Sequence, residues 1–106
     1  MDQVNERTSS RVTVGFFDED DLPVVPSSGS YRIDDEASRS AIVGMCAFAS
    51  LASSGIINIT PAQNRILDEA NHHEDRLITV SFGYGTGQQG TDEHRYRVIN
   101  LYGVTT

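Results

Sequence analysis

The stretch 76–101 constrains the chain more than any other. It reads Arg-Leu-Ile-Thr-Val-Ser-Phe-Gly-Tyr, then Gly-Thr-Gly-Gln-Gln-Gly-Thr, then Asp-Glu-His-Arg-Tyr-Arg-Val-Ile-Asn-Leu. Two alternating runs joined by a Gly-rich, uncharged turn predict a β-hairpin. Ile78, Val80, Phe82 and Tyr84 share one face of the first run. In the second, His94, Tyr96 and Val98 share one face, and Arg95, Arg97 and Ile99 the other. A lone hairpin is marginal in water, so further strands must pack against it.

One hundred and six residues fit one domain. No run approaches the roughly 18 apolar residues of a membrane span. Residues 1–10 are polar and hold no apolar stretch, so no signal peptide is expected there. The single Cys46 lies in an apolar run, which predicts a buried thiol, no internal disulfide and assembly in the cytoplasm. Fifteen acids face eight basic residues, all of them Arg, for a net charge of -7. That balance argues against nucleic acid and anionic membranes as partners, since both need a basic footprint. The absence of Lys has two readings: Arg-rich interfaces, or a GC-rich genome.

Residues 1–10 read as an N-terminal arm, either frayed or docked on a neighbouring subunit, and residues 11–106 as the folded domain. Strands are expected at 11–17, 30–34, 41–48 and 56–59. The run 41–48 is almost wholly apolar (Ala-Ile-Val-Gly-Met-Cys-Ala-Phe), so it reads as a buried strand, although length alone does not separate that from a short helix. Asp18-Glu19-Asp20-Asp21 reads as a solvated turn or a cation loop; it lacks the Asp-x-Asp-x-Asp-Gly calcium pattern. Leu22-Pro23-Val24-Val25-Pro26 reads as an extended edge segment, because both prolines remove ladder donors. Thr60-Pro61-Ala62-Gln63 is a capping box with Pro at the first helical position, and predicts a helix over 61–69. The fold class expected is all-β: an immunoglobulin-like antiparallel β-sandwich with one short helix between the fourth strand and the C-terminal hairpin.

No catalytic constellation emerges, and no catalytic, cofactor-binding or metal-ligating residue is assigned. The glycines of the hairpin do not lie between a strand and a helix, as a phosphate loop would require. Cys46 has no evident base. His72, His73 and His94 would make a three-His zinc site only against strand geometry, because adjacent residues point to opposite faces.

The segments Tyr31-Arg32-Ile33-Asp34-Asp35, Ile57-Asn58-Ile59-Thr60, Asn64-Arg65-Ile66-Leu67, Glu74-Asp75-Arg76-Leu77-Ile78-Thr79-Val80 and Tyr96-Arg97-Val98-Ile99-Asn100-Leu101 resemble those of small virion structural proteins of tailed bacteriophages. These are immunoglobulin- or fibronectin-like domains encoded among head genes. The resemblance covers about residues 11–101. It implies a non-enzymatic structural component of the virion, assembled in the bacterial host cytoplasm, without cofactors. It implies a head decoration (cement) protein, or alternatively a head–tail connector (neck) component. The implied partners are the major capsid protein or portal and connector subunits, with a homo-oligomer in the particle as a further expectation.

Interface candidates are Leu22, Pro23, Val24 and Val25 of the edge segment, Gly85, Gly87, Gln88 and Gln89 of the hairpin tip, and Arg95 and Arg97, which alternatively pair with acids inside the sheet. A soluble adhesion or carbohydrate-binding module is the competing class. There is no Trp, and Tyr84 and Tyr102 are the aromatics available for an exposed platform.

Overall fold

The computed structural model describes residues 2–48, 51–68 and 70–101. Their strands are β1 (Asp2–Asn5), β2 (Ser10–Gly15), β3 (Ser28–Asp35), β4 (Ala41–Ala47), β5 (Ser54–Ile59), β6 (His73–Tyr84) and β7 (Gln88–Ile99). They form a five-stranded sheet in the order β1-β7-β6-β3-β4 and a two-stranded sheet, β2-β5. The chain is all-β, consistent with a β-sandwich. The ladders are antiparallel except one: β1 joins β7 in parallel, with Asp2 beside Tyr96 and Asn5 beside Ile99, so the larger sheet is mixed.

The β6–β7 hairpin forms as its alternation predicts, and is longer. Each strand has twelve residues, about 40 Å at 3.4 Å per residue, which accounts for the chain's 54 × 22 × 21 Å extents. Gly85 and Gly87 carry the positive φ angles of the turn, 56° and 75°, a conformation that favours glycine. Ile78, Val80, Phe82 and Tyr84 all face the core. The smaller sheet covers them with Val14, Ile57 and Ile59, joined by Phe16 just past the end of β2. Phe16 meets Phe82 edge-on at 5.1 Å and Phe48 at 5.5 Å, joining the two sheets through aromatic contacts.

The expected helix over 61–69 is absent among the described residues. Its capping box does form: the Gln63 side chain accepts from the Thr60 N–H at 2.9 Å, and Thr60 Oγ1 accepts from the Gln63 N–H at 3.2 Å. Asn64 then donates its N–H to the Thr60 carbonyl, and the winding stops after that turn. The next backbone groups are captured from β6. Arg76 donates to the Gln63 and Arg65 carbonyls at 3.2 and 2.8 Å. The Glu74 carboxylate accepts from the Leu67 and Asp68 N–H groups at 2.7 and 3.0 Å. These groups would otherwise continue the helical ladder, and side-chain partners replace it.

Arg76 is fully buried. It also pairs with Asp35 at 3.2 Å and with Glu74 at 2.6 Å. Burial raises the Glu74 pKa, but hydrogen bonds from the Leu67 N–H, Asn71, the Asp68 N–H and Arg76 outweigh it and hold the carboxyl below its usual value. Asn64, also fully buried, ties the same crossover to β2 and β7: it donates to the Thr8 carbonyl and Ser10 Oγ and accepts from the Tyr96 hydroxyl. Among the described residues, every buried side-chain nitrogen and oxygen has a partner.

The apolar run 41–48 is a strand, but it lies at the sheet edge. The two-stranded sheet is too narrow to cover it, so most of β4 is exposed. Cys46 is therefore exposed, against expectation. It stands opposite Tyr31. Burial raises the Tyr31 pKa, and the Cys46 thiol adds to the effect. Part of the expected arm is structured: β1 completes the larger sheet, Glu6 donates its N–H to the Ile99 carbonyl, and Arg7 donates to the Asn64 carbonyl.

Candidate protein interface

Eight of the ten candidate residues converge on one end of the molecule. The segment holding Leu22, Pro23, Val24 and Val25 crosses from β2 to β3. Asp18 fixes its start: the carboxylate accepts from the Asp20 and Leu22 N–H groups at 2.9 and 3.0 Å. Asp18 thus closes the turn with its own side chain. Phe17 bridges to Pro23, and Val24 donates its N–H to the Phe16 carbonyl.

Two links join this crossover to the end of β6. The Tyr84 hydroxyl donates to Glu19 at 2.5 Å, and the Ser27 N–H donates to the Gly83 carbonyl at 2.7 Å. The Tyr84 bond lowers the Glu19 pKa, and Glu19 in turn raises that of Tyr84. The turn glycines Gly85 and Gly87 come directly after, then Gln88 and Gln89 at the start of β7, all exposed. Leu22 and Val25 are 59% and 61% exposed. Pro23 is exposed and Val24 half-buried. This end thus combines an uncharged hairpin tip with apolar side chains that the chain itself does not cover.

Phe17 extends the apolar surface, and sequence reasoning missed it. Its ring lies over Gly15, close enough that a Cβ there would come within 2.7 Å. Ile56 faces outward on the same sheet, opposite Thr13 in the ladder. Both are about half exposed. A break in alternation carries the signal: Phe16 and Phe17 are adjacent, so only one can face the core.

Arg95 and Arg97 lie elsewhere, on the outer face of the larger sheet. Arg97 stands opposite Asp75 and bonds it at 2.8 Å. That bond lowers the Asp75 pKa. Arg95 pairs with Glu36, and more loosely with Glu93 at 3.7 Å. Both arginines are therefore partnered within the sheet, the alternative to an interface role.

The histidines do not converge. His73 stands opposite Ile99 and His94 opposite Ile78, five rungs apart and on opposite faces, about 17 Å along the strands. Among the described residues, no group of three or more His, Cys, Asp or Glu is placed to hold a metal ion, and no helix is long and apolar enough to cross a membrane. The Tyr84 ring packs against Phe82 at 5.9 Å and is buried, so it offers no open platform for a sugar. Tyr102 lies outside the described residues. Comparison with family models, curated proteins and solved structures returns no match.

Proposed function

We propose that this chain is a non-enzymatic structural component of a tailed-phage virion that binds other virion subunits, as a head decoration (cement) protein. In this reading the domain is an immunoglobulin-like β-sandwich. The observation that supports it is the exposed apolar end: Leu22, Pro23 and Val25 beside the uncharged tip Gly85–Gln89. Apolar side chains gathered beside an uncharged hairpin tip and an acidic turn suit docking onto protein rather than onto nucleic acid or an anionic lipid surface. A lattice of capsid subunits multiplies such a small contact, because many copies bind side by side. A neck position among portal and connector subunits is the alternative within the same class.

The test is the copy number of the chain in purified particles, by quantitative mass spectrometry against the major capsid protein. A count comparable with the capsid protein supports decoration, and a small ring-like count supports the neck. Absence from particles refutes the virion reading. Leu22→Asp with Val25→Asp should lower incorporation while leaving the isolated chain's melting temperature unchanged, since both side chains are exposed.

A further inference from the structure

The net charge of the chain is unevenly placed. The hairpin-tip end is built from residues 14–31, from Phe48 and residues 51–56, and from hairpin residues 80–90, which the ladders and the Phe16–Phe48 contact bring together. These segments hold four acids and no Arg or His, whereas the other positions hold eleven acids and all eight arginines. The four acids form one turn, Asp18 to Asp21, bracketed by Phe17 and Leu22. The Asp18 N–H donates to the Leu22 carbonyl at 3.0 Å, so the acids sit directly beside those two exposed side chains. Asp18 and Glu19 are engaged within the chain, with the Asp20 and Leu22 N–H groups and with the Tyr84 hydroxyl. Asp20 and Asp21 are exposed, and among the described residues neither carboxylate has a hydrogen-bond or ion-pair partner. Arg32 of β3, the position just beyond this end, is taken by Asp34 at 2.8 Å.

We infer that this end docks on a basic protein surface, with Phe17, Leu22 and Val25 against an apolar recess whose rim carries Arg or Lys opposite Asp20 and Asp21. Charge complementarity selects that occupant. The apolar side chains supply the contact that excludes water, and the acids beside them set which partner approaches and in what orientation. A second copy presenting the same end would bring four acids against four, and the two would repel. A neutral apolar surface would leave Asp20 and Asp21 without partners at the margin of the contact, where a basic rim pairs them. The inference rests on the reading of this end as a docking surface and adds the chemistry of what docks there.

The test is an NMR titration of the full chain at low salt with three short peptides: alternating Leu and Arg, alternating Leu and Asp, and alternating Ser and Arg. The Leu/Arg peptide should shift the amide signals of residues 17–25 and 85–89, and added salt should weaken it. The other two should bind this end less well, one lacking the charge and the other the apolar side chains. Asp20→Asn with Asp21→Asn should weaken the Leu/Arg peptide by roughly 2- to 30-fold, the range of two exposed ion pairs. Both side chains are exposed, and Asn suits the left-handed backbone at Asp21, so the variant should melt as the wild type does. Asp92→Asn with Glu93→Gln removes the same charge elsewhere and should leave that affinity within about two-fold. Equal binding of the Leu/Asp peptide at these residues would keep the docking end and overturn the basic partner. Equal binding of the Ser/Arg peptide, or no loss on Asp20→Asn with Asp21→Asn, would overturn it too. If no peptide moves this end, the docking surface falls with the inference. Shifts there that depend on the concentration of the chain alone would assign the end to a second copy instead. The virion reading is judged separately, by the copy number in particles.

Discussion

Replacing Arg76 by Met keeps most of the side chain's length and removes its charge. Two carboxylates then lose their cation, Glu74 at 2.6 Å and Asp35 at 3.2 Å, with side chains only 4% and 5% exposed. Two carbonyls, of Gln63 and Arg65, lose a donor as well. Removing one partner of a buried ion pair costs about 3–5 kcal/mol, because the remaining charge stays desolvated. Domains of this size are stable by roughly 5–15 kcal/mol, so the change removes a large share. At a urea dependence of about 1.5 kcal/mol per molar, the unfolding midpoint falls by ~2–3 M. Circular dichroism across a urea titration reads it. A fall below about 0.5 M would refute the reasoning, since Arg76 would then be filling space rather than compensating charge. The double variant Arg76→Met/Glu74→Gln should be less destabilised than the sum of the singles by about 1–3 kcal/mol, the coupling expected of groups in one network.

The geometry sets three further outcomes. Glu74 and Asp75 both have folded pKa values below their unfolded ones. Their stabilisation is complete above the unfolded values, about 4.3 and 3.9, and is lost as pH falls through the folded ones. The urea midpoint should therefore decline below about pH 4.5, and a midpoint unchanged down to pH 3 would contradict this. Gly90→Ala should lower the melting temperature, because a Cβ there would lie 2.4 Å from the Phe82 ring; overpacking costs about 1–3 kcal/mol, read by thermal denaturation, and Gly44→Ala should show no such loss. Asn64→Ala should cost about 2–3 kcal/mol through unsatisfied partners and should speed amide exchange in β1 and at the start of β2, as hydrogen-exchange mass spectrometry will show.

The hairpin was legible because its pattern repeats every two residues over enough length to leave one solution. The capping box at Thr60 was legible as well, and it forms. The break after a single turn was not, because the residues that stop the helix, Glu74 and Arg76, come ten or more positions later and act only once β6 is folded. The run 41–48 shows the limit of composition. An apolar strand reads the same whether a second sheet covers it or stops short of it, so the exposure of Cys46 depended on the width of the two-stranded sheet. The pairing of Arg97 with Asp75 becomes plain only when the hairpin register places them opposite each other. The convergence of the 22–25 segment with the hairpin tip rests on Glu19–Tyr84 and Ser27–Gly83, contacts more than fifty residues apart in sequence. β1, four residues without alternating apolar positions, offered no signal at all.

The parallel pairing of β1 with β7 sets the order in which the chain is completed. Asp2 meets Tyr96, so β1 leaves the ribosome well before the strand it pairs with. At about 5–20 residues per second, that interval is roughly 5–20 seconds. β6 and β7, joined by a three-residue turn, find each other within microseconds of their synthesis. The N-terminal strand is thus added to a surface that already exists. Until then, the outer edge of β7 stands as open as that of β4, and the nascent sheet has two unpaired flanks where the finished one has β1 in place along the first.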